Sequence, residues 1–247
     1  MFSRVPILSY HAIVAEDQKP APAWSAYHAV SLAAFREQLN FLAEGAWRVV
    51  ALRALEQASV PRKSVAITFD DGGSSDLVAA EELFGRSVPA AFFVTWSRLG
   101  CRWYLTRGQV IELDRQGFTI GSHGLAHVRF GELSPEELRD QLVGSRERLE
   151  CLLGKPVMAL ALPYGSYRDE VVSAAVAAGY RSIMTSDFAL AVAGNNVLPR
   201  LSIAAGTTLQ DFNALLTDSP MGIARRRVLN GIRRRWKRLQ SMASGRR

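Results

Sequence analysis

The run Ser64-Val65-Ala66-Ile67-Thr68-Phe69, closed by Asp70-Asp71-Gly72, constrains the fold of this chain more than any other stretch. Consecutive β-branched and aromatic residues ended by a glycine turn read as a strand buried on both faces, the kind found in parallel sheets. Such a strand needs helices to cover it, and the chain offers them in alternation. Leu32, Phe35, Leu39 and Leu42 form the apolar stripe of a helix over 31–42, and a short strand over 47–50 follows. A helix near 75–85 leads from the 65–69 strand to a strand over 90–95. A helix over 106–116 precedes the strand-like run Gly117-Phe118-Thr119-Ile120-Gly121. Ser134-Pro135-Glu136-Glu137 is a strong helix start, with Ser as N-cap, Pro at the first position and Glu completing a capping box. Gly154 and Pro156 stop that helix. Strands are expected over 157–162, 181–184 and 198–203, with a helix over 169–178, and the polar stretch 16–22 reads as a loop over one end. Alternation of this kind argues for a parallel sheet with covering helices. A chain of 247 residues with 48% hydrophobic content can bury one full core.

Parallel strands followed by helices place reactive residues at the C-terminal strand ends. Two adjacent carboxylates at such an end raise one another's pKa unless a cation uses their charge. A second strand ends in Ser122-His123-Gly124-Leu125-Ala126-His127, and histidines four apart share one face of a helical turn, where they can grip one metal ion. One carboxylate and two imidazoles make a facial set with open positions, and the other carboxylate remains as a base. An Asp-Asp pair alone is often a turn, and a lone His-x3-His is often a surface helix face. Their coincidence in a chain with only four histidines points to a hydrolytic metal site.

Thr68-Phe69-Asp70-Asp71-Gly72 followed by His123-x3-His127 resembles the polysaccharide deacetylases, carbohydrate esterase family 4, with their NodB-homology domain. The likeness extends over residues 5–203 and includes Val5-Pro6-Ile7-Leu8-Ser9-Tyr10-His11, Pro89-Ala90-Ala91-Phe92-Phe93-Val94, Leu162-Pro163-Tyr164-Gly165 and Leu198-Pro199-Arg200. Tyr10-His11 is similar to the poly-N-acetylglucosamine deacetylase branch. The resemblance implies an α/β fold, a distorted (β/α) barrel of about seven parallel strands. It also implies metal-dependent removal of N-acetyl groups from an amino sugar in a polysaccharide, oligosaccharide or lipid-linked glycan. Asp71, His123 and His127 would hold a divalent metal, with Zn²⁺ suited to the mixed nitrogen and oxygen set. Asp70 would be the general base and His11 the acid that protonates the departing amine. The backbone N–H of Tyr164 would meet the developing oxyanion.

Several positions depart from the family pattern. Ala161 stands where an Arg two residues before the Pro often orients the base; Arg200 is the candidate substitute, with an exposed structural salt bridge as its alternative role. Gly124 replaces a common Ser or Thr. Asp187 matches a later acidic position only loosely. Trp24, Trp96 and Trp103 are candidates for stacking on a sugar, against ordinary packing, and His28 reads as a loop or edge residue. A same-fold deformylase or cyclic amidase is an alternative, as is a non-catalytic, membrane-associated glycan-binding scaffold.

The net charge of +7 is unevenly spread. Residues 221–247 hold ten Lys+Arg and no acid, leaving 20 basic against 23 acidic residues in 1–220. The expected division is therefore a catalytic domain over 1–220 and a basic tail over 221–247. Leu229, Ile232, Trp236 and Leu239 recur there at helical spacing, which suits an anionic membrane surface or, alternatively, packing on the barrel. No nucleic-acid motif is present, and no nucleic-acid partner is expected. Cys101 and Cys151 are expected as free thiols, and the start Met1-Phe2-Ser3-Arg4-Val5-Pro6 lacks a signal-peptide core, so the expected location is the cytoplasm, with the tail at the inner membrane face.

Overall fold

The computed structural model describes residues 3–15 and 26–217, together with Gly222, Ala224, Arg225, Val228 and Gly231. The expected 16–22 loop, Trp24 and nearly all of the basic tail lie outside the described residues. Within the tail, Arg225 ion-pairs with Asp211. No helix of the described residues is long and apolar enough to cross a membrane.

In chain order, β1 (Arg4–Val5), β2 (Ile7–Tyr10), β3 (Ala12–Val14) and β4 (Ala29–Ser31) precede α1 (Leu32–Glu44) and β5 (Arg48–Val49). Then come β6 (Ser64–Phe69), α2 (Asp76–Gly85), β7 (Ala91–Val94), α3 (Arg107–Arg115), β8 (Thr119–Ser122) and α4 (Pro135–Leu153). The chain continues through β9 (Ala159–Ala161), α5 (Asp169–Ala177), β10 (Ser182–Met184), β11 (Ala191–Val192), β12 (Val197–Leu198), β13 (Leu201–Ser202) and α6 (Leu209–Leu216). The helix starts follow from their caps. Ser31 accepts from Ala34 N–H, and reciprocal capping boxes form at Thr106/Gln109 and Ser134/Glu137. Gly154 ends α4 with φ +67°, a conformation that glycine adopts without strain.

The main sheet has nine strands in the order β12-β10-β9-β8-β7-β6-β2-β13, with β5 paired to β6 off this path, and its pairings are parallel. The expected α/β barrel class holds, with nine strands rather than about seven; the count includes the short β5 off the main path and two separate strands, β12 and β13, from one expected segment. The strand expected over 198–203 is broken. Its two halves pair with opposite ends of the sheet, β12 with β10 and β13 with β2, so Pro199-Arg200 spans the seam. Proline has no N–H for a ladder, which suits it to a strand break.

Two-residue periodicity sorts the side chains. Val65, Ile67 and Phe69 of β6, with Leu8, Tyr10, Phe92, Val94, Ile120 and Leu160, face the helices in one large cluster. Ala66, Ala91, Phe93, Ala159, Ala161 and Met184 form a second cluster within the curl of the sheet. Small residues dominate there because the curl is narrow. A Cβ at Gly121 would lie 2.5 Å from the Phe93 ring. The same parity carries Asp70, His11 and His123 onto the inner face at the strand ends, where the ladder continues through Asp70 N–H to Tyr10 O and His123 N–H to Val94 O.

Candidate active site

Asp70 follows β6 and is 4% exposed. Burial alone would raise its carboxyl, but the Arg200 guanidinium, with His123 and His11 nearby, holds it below the ordinary value. Arg200, 2% exposed at the sheet seam, donates Nη1 to Asp70 Oδ1 and Nη2 to Oδ2, both at 2.7 Å. It also donates to Thr68 Oγ1 at 3.1 Å and to the Thr185 carbonyl at 3.3 Å, while Thr68 Oγ1 donates to the Leu8 carbonyl at 2.8 Å. A planar fork fixed at four points leaves Asp70 little rotational freedom. Asp187 sits one step behind, accepting from Thr185 Oγ1 at 2.9 Å and from Tyr167.

Asp71 turns away from Asp70 because its backbone is left-handed, with φ +78°. Gly72 continues the turn at φ +71°, where a Cβ would lie 3.0 Å from Val94. The Asp71 Oδ1 atom lies 3.0 Å from His127 Nε2 and 3.6 Å from His123 Nε2. Burial opposes its ionisation, and the two histidines overcome this and hold the carboxyl far below its usual range. His123 donates Nδ1–H to the Ala161 carbonyl at 2.9 Å, which leaves the Nε2 lone pair facing Asp71. Burial lowers His123 to about 4, so its ring is neutral and able to ligate at neutral pH.

The two histidines do not share a helical turn. Residues 123–129 form a loop, held from outside by Trp96 N–H to Gly124 O, Ser97 N–H to Leu125 O, and Ala126 N–H to Gln141 Oε1. Gly124 bends it at φ +86°, and a Cβ there would meet Phe130 at 2.9 Å, which explains why neither Ser nor Thr stands at this position. The donor atoms of Asp71, His123 and His127 nevertheless lie within 4.8 Å of one another. One carboxylate and two imidazoles whose ring nitrogens converge, this close and largely buried, fit a divalent cation.

Tyr164 sits in the 163–165 turn with φ +59°, and its half-exposed ring lies 4.4 Å from that of His127. Gly165 is also left-handed, at φ +60°, and a Cβ there would lie 2.4 Å from Ser186. His11 follows β2 and acts electrostatically on both aspartates. Its ring stacks on His28 at 4.3 Å. The residue expected to be a mere loop histidine is therefore a neighbour of the site, which only the β3–β4 pairing that joins their segments could reveal. Asp76 was equally hidden. It is fully buried, with neither carboxyl oxygen bonded among the described residues, and burial plus the Asp71 and Asp70 charges push its pKa well up. Trp96 packs against the helix-side core, whereas Trp103 is exposed. Cys101 and Cys151 are free and exposed.

The model of the polysaccharide deacetylase family matches residues 57–183, just over half of the chain. This chain belongs to the polysaccharide deacetylase family. It is accordingly a hydrolase of the polysaccharide deacetylase class. The matched region includes Asp70, Asp71, His123, His127 and Tyr164, and leaves His11 and Arg200 outside. YxkH of Bacillus subtilis, named for the same family, is 22% identical over 222 residues, 87% of this chain and 76% of that protein. A peptidoglycan-N-acetylglucosamine deacetylase of Bacillus cereus is 29% identical over 126 residues, 50% of this chain and 57% of its own length. Among solved structures, the Streptococcus pyogenes deacetylase PplD in complex with acetate superposes with a TM-score of 0.79 at 24% identity. That match covers 88% of this chain and 100% of PplD, and it shows a shared fold.

Proposed function

We propose that this family member hydrolyses the N-acetyl group of an amino sugar in a glycan, with Asp70 as general base and His11 as general acid. The observation that carries this reading is Asp70, clamped by Arg200 and held ionised, directly beside the Asp71, His123 and His127 donor set. A base must be ionised and aimed, and the two hydrogen bonds from Arg200 achieve both. The same bonds lower its basicity, so the attacking water has to be made more acidic. A divalent cation held by Asp71, His123 and His127, with Zn²⁺ suited to the donors, supplies that Lewis acidity toward water and an acetamide carbonyl.

Each remaining role belongs to the chain itself. Asp70 accepts the proton of the attacking water. The left-handed Tyr164 backbone holds a tight turn beside His127, the place where a backbone N–H can meet the oxyanion. His11 delivers a proton to the departing sugar amine, a task that an imidazole suits because that side chain exchanges protons readily. The His28 ring stacked on it restrains its orientation. The products are acetate and a free amino sugar.

The test is acetate release from N-acetylglucosamine oligomers by the metal-loaded protein, with and without a chelator, and by Asp70→Asn. Chelator-sensitive release that Asp70→Asn abolishes while retaining metal supports the assignment. Wild-type release by Asp70→Asn shows that the base is wrong.

A further inference from the structure

We infer that the site mouth is built for a glycan bearing an oxyanion, a carboxylate or a phosphate, beside the N-acetylated sugar, with Arg98 and Arg129 as its anchors. The inference rests on the deacetylase reading of the same site and names its substrate class.

Arg98 ends the short turn after β7. Its Nη1 lies 3.5 Å from Asp71 Oδ1, the atom on which His123 and His127 converge. Its guanidinium rests 5.1 Å from the Tyr104 ring centre. Arg129, two residues beyond His127, lies 4.5 Å over the Tyr164 ring, which in turn touches His127. Both arginines are partly exposed, with side-chain accessibilities of 30% and 44%. Stacking occupies the face of a guanidinium and holds it in place, and its in-plane N–H groups make only long ion pairs, Arg98 to Asp71 at 3.5 Å and Arg129 to Glu132 at 3.8 Å, which a bidentate oxyanion can displace.

Charge bookkeeping favours an anionic guest. Asp70 and Arg200 cancel, and Asp76 is driven toward its neutral form. Asp71 then meets Arg98 at 3.5 Å, and Arg129 adds a second guanidinium over the Tyr164 ring. Glu132 approaches Arg129 only at 3.8 Å, on a side chain 72% exposed. A divalent cation bound by Asp71 would increase the positive excess. The cluster does not reflect a generally basic surface, because residues 1–220 carry more acids than bases.

The experiment compares three disaccharides: neutral diacetylchitobiose, its 1-phosphate, and N-acetylglucosaminyl-N-acetylmuramic acid, which bears a carboxylate. The metal-loaded full chain is assayed for kcat/KM of acetate release. Binding to metal-loaded Asp70→Asn is measured by calorimetry, so that recognition is read without turnover. One anionic sugar, identifying carboxylate or phosphate, should bind about tenfold more tightly than the neutral one, an advantage that shrinks as salt rises. Arg98→Gln with Arg129→Gln should erase that ratio, and each single change should reduce it. Equal binding of all three sugars, or a ratio unmoved by salt and by both substitutions, overturns the inference. Selective anion binding without acetate release would sustain it and defeat the deacetylase reading instead.

Discussion

Arg200 holds Asp70 by two parallel hydrogen bonds of 2.7 Å, although 130 residues separate them in the chain. The arginine sits where β12 and β13 part to opposite ends of the sheet, so the residue that spans the seam also grips the candidate base. Arg200→Gln leaves a buried carboxylate with one fewer cation, and breaking such a pair costs roughly 3–5 kcal/mol. Denaturant unfolding should register a loss of that size. Arg200→Lys cannot reproduce the fork, and kcat should fall by about 100-fold through misplacement of Asp70. Near-wild-type kcat in Arg200→Lys would remove the positioning role.

Asp76 contributes a pH dependence of opposite sign to that of the site aspartates. Its folded pKa is raised, so the native chain keeps a proton that the unfolded chain releases above about pH 4. Stability associated with this group is full below that value and is lost as pH rises toward the folded pKa, by at most about 1.4 kcal/mol per unit. Asp76→Asn has no such proton to lose. In metal-free protein, the stability of Asp76→Asn relative to wild type should therefore improve as pH rises from about 4 toward the folded pKa of Asp76. Parallel stability curves would show that Asp76 does not carry the effect.

Metal binding should report on the three donors directly. Zinc at about 100 times its dissociation constant should stabilise the wild-type protein by about 2.7 kcal/mol, seen as a rise in Tm. Asp71→Ala and His127→Ala should lose that rise. His123 is neutral until pH falls toward about 4, so its protonation should weaken binding only in that region. An undiminished zinc shift in Asp71→Ala would remove Asp71 from the site.

The Pro163-Tyr164-Gly165 turn stores backbone strain beside His127. Gly165→Ala would place a Cβ 2.4 Å from Ser186 at a φ of +60°. Destabilisation of at least about 1–2 kcal/mol is expected, together with reduced kcat as the turn shifts. Unchanged stability and turnover would mean that this turn tolerates a side chain.

His28 should act through the ring it places on His11. His28→Ala should lower kcat more than it raises KM, and His28→Phe should recover much of the loss because it retains a stacking face. Failure of the phenylalanine variant to recover would point to the imidazole nitrogens instead.

Much of this protein is written locally. The continuous apolar run of β6, the caps at Ser31, Thr106 and Ser134, and the stop at Gly154 are short-range features, and each appears where its chemistry demands. The C-terminal strand ends likewise place Asp70, Asp71 and His123 on one rim from the order of elements alone. The spacing of His123 and His127 misled in one respect, since their convergence comes from a glycine-bent loop tied to Trp96, Ser97 and Gln141 rather than from a helical turn. Tertiary structure alone decided the rest. The break at Pro199-Arg200, the stack of His28 on His11 and the guanidinium of Arg129 over Tyr164 join separate segments, and the isolation of Asp76 depends on what packs around it. Local propensity encodes which residues form a strand or a cap, because those energies arise within a few positions. Burial, charge pairing and ring stacking depend on which strand ends meet, and that meeting exists only once the sheet has curled.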